Sequence, residues 1–436
     1  MELVTIATII LLGGMIIGIA LGVPVAISMG LPSALAIVVL LGWDGAALTS
    51  AQRLFSGSNS FALLAIPFFI LAGGLMNTGG IASRLIDLAQ VVAGRLPASL
   101  AQTTVVANAM FGAVSGASVA SAAAVGSVLS PPMRKAGYDP AFAAAVNAAA
   151  SPAGMLIPPS NTFIIYSLVS STSVAALFMA GIGPGLLWAL VCIIMVALYA
   201  RKHPELAAGR RPTLRQAGIV FLRAIPALLM IVVVIGGILS GYFTATESAV
   251  IAVLYSLVLG LIQRTLPVHK LPSIILEAAK TTAIVMLLIG VSSILAWVLS
   301  YAKLPQLIAD SLLGLTDNRV LILIIIMGVL LLAGTVMDPT PAILIFTPIF
   351  LPVVTELGVD PIHFGTMMVF NMCLGNISPP VGNNLFVAAR VANVRIEPMI
   401  GKVMPFFWAL TAALFIVVFV PQLSMWLPTV TGLAQP

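Results

Sequence analysis

The sequence predicts an all-α polytopic membrane protein, built from two inverted-topology repeats of about five spans, each with a re-entrant helical hairpin. Three observations support this fold class. Of the 436 residues, 61% are hydrophobic and only 7% are charged. Long apolar segments recur along nearly the whole chain, and turn-forming residues repeat at one fixed offset. Soluble proteins carry about 25% charged residues, so this chain has too little polar surface to be one.

Apolar segments of near-spanning length define the predicted crossings, because a helix needs about 20 apolar residues to cross the hydrocarbon core. The first five are predicted at about 3–22, 25–42, 59–77, 140–157 and 182–200, and the second five at about 225–241, 246–263, 282–300, 362–378 and 404–426. The chain therefore divides into a first repeat at 1–200, a basic cytoplasmic linker at 201–223 and a second repeat at 224–436.

Two further apolar segments are broken in the middle and predict hairpins. The first, at about 99–130, is interrupted at Val114–Ser118, and the second, at about 320–354, at Gly334-Thr335 and Asp338–Pro341. Arms of about 14 residues are short for a hydrocarbon core of about 30 Å. We therefore expect each hairpin to enter and leave on the same side, although the arms of the second are slightly longer.

The same turn-forming residues recur at an offset of 221 positions. The pairs are Pro131 and Pro352, Gly137 and Gly358, Asp139-Pro140 and Asp360-Pro361, and Pro158-Pro159 and Pro379-Pro380. Gap-free recurrence near half the chain length indicates duplication. Chance remains the alternative in a chain with 29 prolines and 37 glycines. Five spans is an odd number, so duplicated halves would insert with opposite orientations.

The basic residues support this topology. With the N-terminus outside, only Arg53, Lys303 and Arg319 of the 19 lysines and arginines fall on the outer side. The first hairpin then enters from the cytoplasm and the second from the opposite face. Six basic residues cluster in the linker: Arg201, Lys202, Arg210, Arg211, Arg215 and Arg223. This cluster is a topology signal, and no nucleic-acid partner is expected.

The segment 80–95 carries two arginines and an aspartate on a helical pattern. It fits an amphipathic helix at the membrane interface. It fits equally an extension of the preceding span.

Small residues with hydroxyl or amide groups interrupt the apolar sequence in four places. These are Ser115–Ser118, the region Ser151–Asn161 with its two proline breaks, Gly334–Thr340 and Gly375–Asn384. A backbone broken inside a membrane frees N–H and C=O groups, which is tolerated only in protein or beside a watery cavity. Such groups bind ions in secondary transporters. Small-residue packing and proline kinks are the structural alternative.

Asp338 is a carboxylate within a long apolar segment, which is costly without a partner. It is predicted to be a cation ligand, an N-cap of the second hairpin arm, or both. Glu247, close to Thr244, fits ordinary helix capping.

Enzyme and metal-cluster signals are absent from the sequence. No phosphate-binding loop motif is present, so ATP hydrolysis is not expected, and no catalytic motif indicates an enzyme. The three histidines, His203, His269 and His363, are scattered and predicted to be surface residues. Both cysteines stand in apolar context, which argues against a disulfide framework or a thiol metal site.

At the level of motifs, the chain resembles the large membrane (M) subunit of tripartite ATP-independent periplasmic (TRAP) transporters. The matching segments are Ser60–Pro67, Ser115–Gly126, Gly154–Asn161 and Pro379–Gly382. The resemblance covers nearly the whole chain. Two departures are Thr244–Ser248, where the family usually has Thr-Pro-Thr-Glu-Ala, and Ala117, where a serine is common.

The resemblance implies an elevator-type, sodium-coupled importer of an organic acid, such as a C4-dicarboxylate or sialic acid. It implies a bacterial inner-membrane location among membrane lipid, a small membrane (Q) subunit, here expected as a separate polypeptide, and a periplasmic substrate-binding protein. Na+ rather than ATP would supply the energy. By motif position, Na+ would bind near Ser115, Gly116, Ser118 and Ser151, and at a second site near Gly334, Asp338, Gly375 and Ser378. The substrate would lie near Pro158, Pro159, Ser160, Asn161, Pro379, Pro380, Gly382 and Asn383.

Two alternatives remain open on sequence grounds. One is a stand-alone sodium–carboxylate symporter that needs no binding protein. The other is a proton-coupled or ion-conducting antiporter of inorganic ions.

Overall fold

The computed structural model describes residues 2–204, 206, 213–315, 318–379 and 382–434, and these ranges fold into helices without a strand. The first half contains α1 (Glu2–Ala20), α2 (Val25–Ser58), α3 (Ala65–Thr78), α4 (Ile81–Ala93), α5 (Ser99–Ser115), α6 (Ser118–Lys135), α7 (Pro140–Ala150), α8 (Ala153–Leu156), α9 (Asn161–Ser170) and α10 (Val174–Lys202). The second half contains α11 (Leu214–Leu239), α12 (Ala245–Ile262), α13 (Leu271–Tyr301), α14 (Leu304–Leu315), α15 (Arg319–Val336), α16 (Pro339–Glu356), α17 (Pro361–Gly375), α18 (Asn383–Ala392), α19 (Ile396–Phe419) and α20 (Gln422–Val430). Short 3-10 helices, Phe61–Leu64 and Val268–Lys270, precede α3 and α13.

Within these ranges, 10 helical segments are long and apolar enough to cross a membrane. The number is 11 if the bent pair Pro140–Leu156 and Asn161–Ser170, which turns by 45°, counts as one span. The prediction of a polytopic membrane protein with about ten apolar spans is thereby confirmed. Both arms of the second hairpin, α15 and α16, pass this test. Length and composition alone would therefore also allow each of them to cross.

Several predicted boundaries were wrong. The second span does break at its predicted end, because Gly42 is non-helical (φ 75°, ψ 177°), but α2 then continues as a further helical stretch to Ser58 that was not predicted. The predicted span 404–426 is divided after Phe419, where α19 ends and Pro421 precedes α20. The helices α14 and α18 were not predicted. Each is short and stands beside a longer apolar segment that dominates the sequence pattern.

The segment 201–223, predicted to be a basic linker, is partly helical. Because α10 continues through Lys202 and α11 begins at Leu214, the residues Arg201, Lys202, Arg215 and Arg223 are helical. Arg210 and Arg211 lie outside the described residues.

The segment 80–95 forms a separate helix rather than an extension of the preceding span. Gly80 adopts φ +72° between α3 and α4, a left-handed conformation that suits glycine and ends the first helix. Along α4, Leu85 and Ala89 are buried, while Asp87 is exposed. The buried face packs on α5. This two-faced pattern is the amphipathic one that the sequence predicted.

The helices pack as two groups. Helices α1–α3 and α11–α13 form one group, in which α13 lies along α2 and α3, α1 along α2, and α12 along α3. We call these the frame helices. Helices α5–α10 and α15–α20 form the second group, the central helices. Within it, α18 packs on α6 and α7, α16 on α9, and α10 on α17, α19 and α20. The broken helices of both halves therefore meet at the centre.

Candidate transport site

The first hairpin tip is the turn between α5 and α6. Gly116 ends α5 with φ +61°, which favours glycine because a Cβ strains this backbone conformation. A Cβ at Gly116 would also lie 3.0 Å from the Pro159 carbonyl oxygen and 3.3 Å from the Asn161 nitrogen. The tip therefore rests directly on the loop between α8 and α9, which contains a cis Pro158–Pro159 peptide bond. The structure thus brings two predicted parts of the site together.

The first broken helix is the pair α7 and α8, which is interrupted at Ser151 and Pro152. The backbone carbonyls that lose their helical partners at this break accept hydrogen bonds from side chains. Pro152 has no N–H to give to the Ala148 carbonyl. The Ser151 hydroxyl donates to that oxygen instead, at 3.1 Å. The indole N–H of Trp188, on α10, donates to the Ala149 carbonyl at 2.8 Å. These interactions hold the break in place through protein groups.

The loop before α9 is fixed by its own side chains. The Ser160 hydroxyl accepts from the Phe163 N–H at 3.4 Å, which caps α9. It also contacts the Thr162 hydroxyl at 2.7 Å and the Met155 carbonyl. Ser160 is fully buried. Its observed contacts are therefore those of a capping residue that shapes the loop.

Glycine pairs set the distance between hairpin arms and broken helices. A Cβ at Gly154 would lie 2.2 Å from the Gly112 Cα, so α5 and α8 touch backbone to backbone. A Cβ at Gly375 would lie 2.5 Å from the Gly334 carbonyl carbon, which gives α15 and α17 the same contact. Gly334 and Gly375, predicted near Na+, thus have a packing role as well. Close approach through small residues is common between membrane helices.

Asp338 forms the second hairpin tip. Its backbone is extended at the N-cap position before Pro339, but its side chain makes no capping hydrogen bond. Instead, its carboxylate accepts a hydrogen bond from the Asn383 amide at 2.6 Å. Asp338 is exposed, with no ion pair to a described residue. The N-cap interpretation therefore holds for the backbone only. The carboxylate is not used for capping, and Asn383 is its hydrogen-bond donor.

The second broken helix follows α17 and folds back tightly. The Gly382 N–H donates to the Ser378 carbonyl at 2.9 Å, and a Cβ at Gly382 would lie 2.6 Å from the Asn376 carbonyl oxygen. The Ser378 hydroxyl lies 3.3 Å from the Pro379 carbonyl, to which it donates. Pro380, a predicted substrate contact, lies outside the described residues.

Two asparagines that the sequence did not single out connect the halves. The Asn376 amide donates to the Ser118 hydroxyl at 3.2 Å, and the Asn384 amide donates to the Ser151 hydroxyl at 3.0 Å. Both asparagines are buried. The available signal was an amide-rich stretch inside apolar sequence. Its partners could not be read from the sequence, because they lie more than 200 positions away.

A cavity of about 960 Å³ lies between the hairpin tips and the frame helices. Predicted site residues on its wall are Ser115, Gly116, Ser118, Asn161 and Asp338. The wall also includes Thr162 and Asn376 and, from the frame helices, Asn77, Glu277 and Thr281. The other described site residues do not line this cavity: Ser151, Pro158, Pro159, Ser160, Gly334, Gly375, Ser378, Pro379, Gly382 and Asn383. The cavity therefore has polar groups at both tips within largely apolar walls.

Two further polar features stabilise the central helices. Asn108 is buried between the hairpin arms, where its amide donates to Asn147 at 3.0 Å and its oxygen accepts from Ser121 at 2.8 Å. His363 was predicted to be a surface residue, which is wrong. It is only 3% exposed, and its Nδ1 lies 2.6 Å from the Ser424 hydroxyl. The sequence could not show that α20 covers this histidine.

Glu247 is a capping residue, as predicted. It accepts from the Thr244 N–H at 2.7 Å, and the Thr244 hydroxyl accepts from the Glu247 N–H at 3.2 Å. Among the described side chains, no group of three or more His, Cys, Asp or Glu residues could hold a metal ion.

The fold and site define a class of protein: a multi-pass membrane protein whose broken helices and hairpin tips enclose a central cavity, as in secondary transporters. The chain belongs to the family described as "Tripartite ATP-independent periplasmic transporter, DctM component", whose sequence profile matches residues 12–423. The predicted family is confirmed. Its members are named as transporter permease subunits, and the chain is not an enzyme.

Relatives match the chain over nearly its full length. It is 40% identical to the C4-dicarboxylate TRAP transporter large permease protein DctM of Pseudomonas aeruginosa, over 93% of this chain and 95% of that protein. It is 38% identical to the 2,3-diketo-L-gulonate TRAP transporter large permease protein YiaN of Escherichia coli, over 96% and 98%. The crystal structure of the Alcanivorax borkumensis YdaH transporter superposes with a TM-score of 0.63 at 16% identity, covering 89% of this chain and 90% of that one. This last similarity concerns the fold alone.

Proposed function

We propose that the chain is the large transport subunit of a sodium-coupled importer that carries an organic acid across the bacterial inner membrane. Both named relatives are transporters of organic acids, a C4-dicarboxylate and a diketogulonate. The observation that carries the proposal is the central cavity, whose wall includes both hairpin tips. Its volume lies within the range of about 300–1,000 Å³ that is usual for small-molecule sites.

The cavity has features suited to an anion. Three helices begin at its wall: α6 at Ser118, α9 at Asn161 and α16 at Pro339. Helix N-termini favour negative charge, because their first N–H groups are unpaired and the helix dipole is positive there. In discontinuous membrane helices this arrangement serves to bind carboxylate substrates. A carboxylate held between the tips would fit this field.

The same wall has features suited to Na+. The tips contribute the Ser115 and Ser118 hydroxyls and the Asp338 carboxylate. Oxygen donors of this kind suit hard cations. A cation beside Asp338 would also offset the charge that a second anion, the substrate, brings into the cavity. This is the physical basis for coupling the two in one transport cycle.

Helix boundaries support the proposed inverted repeats. Helix α6 covers 118–135 and α16 covers 339–356, so both ends differ by 221 residues (339 − 118 and 356 − 135). Helices α7 and α17 begin at Pro140 and Pro361, which have the same separation. The division into frame and central helices supports an elevator in which the central group moves against the frame.

The lining of the cavity indicates which side of the membrane it faces. Frame residues on its wall include Pro24, Asn77, Ser273 and Glu277. All lie at span ends that the charge pattern assigns to the cytoplasm. In the proposed topology the cavity therefore faces the cytoplasm, which is the side on which an importer releases its substrate. A periplasmic binding protein would deliver the substrate on the other side, and a small Q subunit, implied by the family, would extend the frame.

The test is uptake of radiolabelled organic acids into proteoliposomes containing the chain, with and without Q, the binding protein and an inward Na+ gradient. We expect uptake to need the chain, Q, the binding protein and the Na+ gradient together. Uptake by the chain alone would indicate a stand-alone symporter, and ion currents without an organic acid would indicate an antiporter.

Asp338→Asn tests the cation site directly. The variant keeps the shape of the side chain and an oxygen for Asn383, but it removes the charge. We expect the Na+ concentration for half-maximal uptake to rise roughly tenfold, about 1.4 kcal/mol. Asp310→Asn, an exposed carboxylate on α14 away from the cavity wall, is the matched control. Equal Na+ dependence in both variants would exclude Asp338 as a ligand.

A further inference from the structure

We propose that Asn376 and Asn384 are positioning residues that couple Na+ binding in the first half to the arrangement of the second half. The proposal rests on the sodium-coupled function above. Each asparagine belongs to the second broken helix region, yet each donates its amide to a serine of the first half. Those serines, Ser118 and Ser151, are two of the four residues predicted near the first Na+ site.

The hydrogen bonds of Ser151 leave it able to bind a cation only in a fixed orientation. The Ser151 hydroxyl donates to the Ala148 carbonyl at 3.1 Å and accepts from Asn384 at 3.0 Å. A hydroxyl has one proton and two lone pairs, so one lone pair of Ser151 remains. The amide of Asn384 therefore decides where that lone pair points.

The hydrogen bonds from Asn376 to Ser118 and from Asn384 to Ser151 are the two bridges between the halves. They are joined to each other through the backbone. The Asn384 N–H donates to the Asn376 carbonyl at 3.2 Å. A shift at Ser118 is therefore passed to Asn376, from there to Asn384, and finally to Ser151. The loop between the two asparagines contains Ser378, Pro379, Gly382 and Asn383, which are the predicted contacts for the second Na+ and the substrate.

Asn384 also carries an unmet hydrogen-bonding group. It is fully buried, and its side-chain oxygen has no hydrogen-bond partner among the described residues. An unpaired buried acceptor costs about 1–3 kcal/mol, so it is uncommon without a reason. A cation bound beside Ser151 would lie next to this amide and could take its free oxygen as a ligand.

The consequence is cooperative Na+ binding. A cation that fixes Ser118 and Ser151 also fixes both asparagines, and with them the loop that forms the second half of the site. Coupling of this kind is a free energy shared between two sites. Removing one amide should weaken the coupling more than it weakens the fold.

The experiment measures Na+ dependence of uptake in proteoliposomes containing the chain, Q and the binding protein, for Asn384→Ala and Asn376→Ala. The matched control is Asn371→Ala. Asn371 is an equally buried asparagine with an unpaired oxygen, but its amide donates within the second half, to the Met327 carbonyl at 2.8 Å. We expect sigmoidal Na+ dependence in the wild type and control. In both bridge variants, we expect a lower Hill coefficient and a roughly tenfold higher half-maximal Na+ concentration.

The outcomes separate this inference from the proposed function. A wild type without Na+ dependence would overturn both. A wild type with Na+ dependence but no cooperativity, or bridge variants with the wild-type Hill coefficient, would overturn the inference alone. So would variants that lose thermal stability without Na+ while their Na+ response stays unchanged, since that describes a structural role. If Asn384→Ala does not fold, Asn376→Ala at the cavity wall decides the question.

Discussion

Gly154→Ala is predicted to separate the first hairpin from the first broken helix. The new Cβ would lie 2.2 Å from the Gly112 Cα, whereas ordinary contacts begin near 3.4 Å. The two backbones must therefore move apart by about 1.2 Å (3.4 − 2.2). Overpacking of this kind costs about 1–3 kcal/mol. Alanine recovers up to about 1 kcal/mol through its higher helix propensity. The expected net destabilisation is about 1–2 kcal/mol.

The same displacement should impair transport. It moves the hairpin tip at Gly116 away from Asn161, and both residues lie on the cavity wall. The assay is the apparent melting temperature of the purified subunit at a fixed heating rate, combined with uptake in proteoliposomes. We expect a melting temperature lower by a few degrees and a clear loss of uptake.

Gly328→Ala is the matched control for this prediction. Gly328 lies within α15, the hairpin arm of the second half that corresponds to α5, and a Cβ there would meet no described atom within 4 Å. It should be neutral or slightly stabilising. If Gly154→Ala behaves like Gly328→Ala in both assays, the backbone contact between α5 and α8 does not constrain the site.

Three further substitutions test the supports of the site. Trp188→Phe keeps the aromatic ring but removes the donor to the Ala149 carbonyl, so it should destabilise by about 1–3 kcal/mol; an unchanged melting temperature would contradict this. Thr244→Ala should cost about 1 kcal/mol by removing the cap of α12, and its Na+ dependence should match the wild type, since a shift would instead give this region a role in the site. Gly375→Ala should reduce stability and uptake as Gly154→Ala does, and normal uptake by this variant alone would show that the two hairpins are not equivalent.

Composition and periodicity were enough to predict a polytopic helical membrane protein, because each span must satisfy its backbone internally and therefore appears as a long apolar segment. The positions of the breaks could also be predicted. Proline lacks an N–H, and Gly116 has a backbone conformation that favours glycine. The helical stretch of α2 beyond Gly42 and the existence of α14 and α18 were not predicted, since these short segments differ little in hydropathy from the sequence around them.

Five residues of the predicted site lie together in the structure, and their roles stay predictions. Ser115, Gly116, Ser118, Asn161 and Asp338 were expected, and the structure places all five on one cavity wall. Asn376, on the same wall, was missed, and so was the burial of His363. Their environments depend on contacts with distant parts of the chain. A residue type alone does not tell whether an amide meets water, a backbone carbonyl or a serine from the other half.

The sequence by itself determined the solvent in which the protein folds, the family to which it belongs and the places where its helices break, because apolar length, punctuating residues and motif order are local properties. Only the tertiary structure decided which side chains of the two halves contact each other. Asp338 binds Asn383 instead of capping its own helix, and two asparagines contact the serines of the first half. Such pairings follow from how α18 packs between α6 and α7, and packing is a property of the whole chain rather than of any one segment.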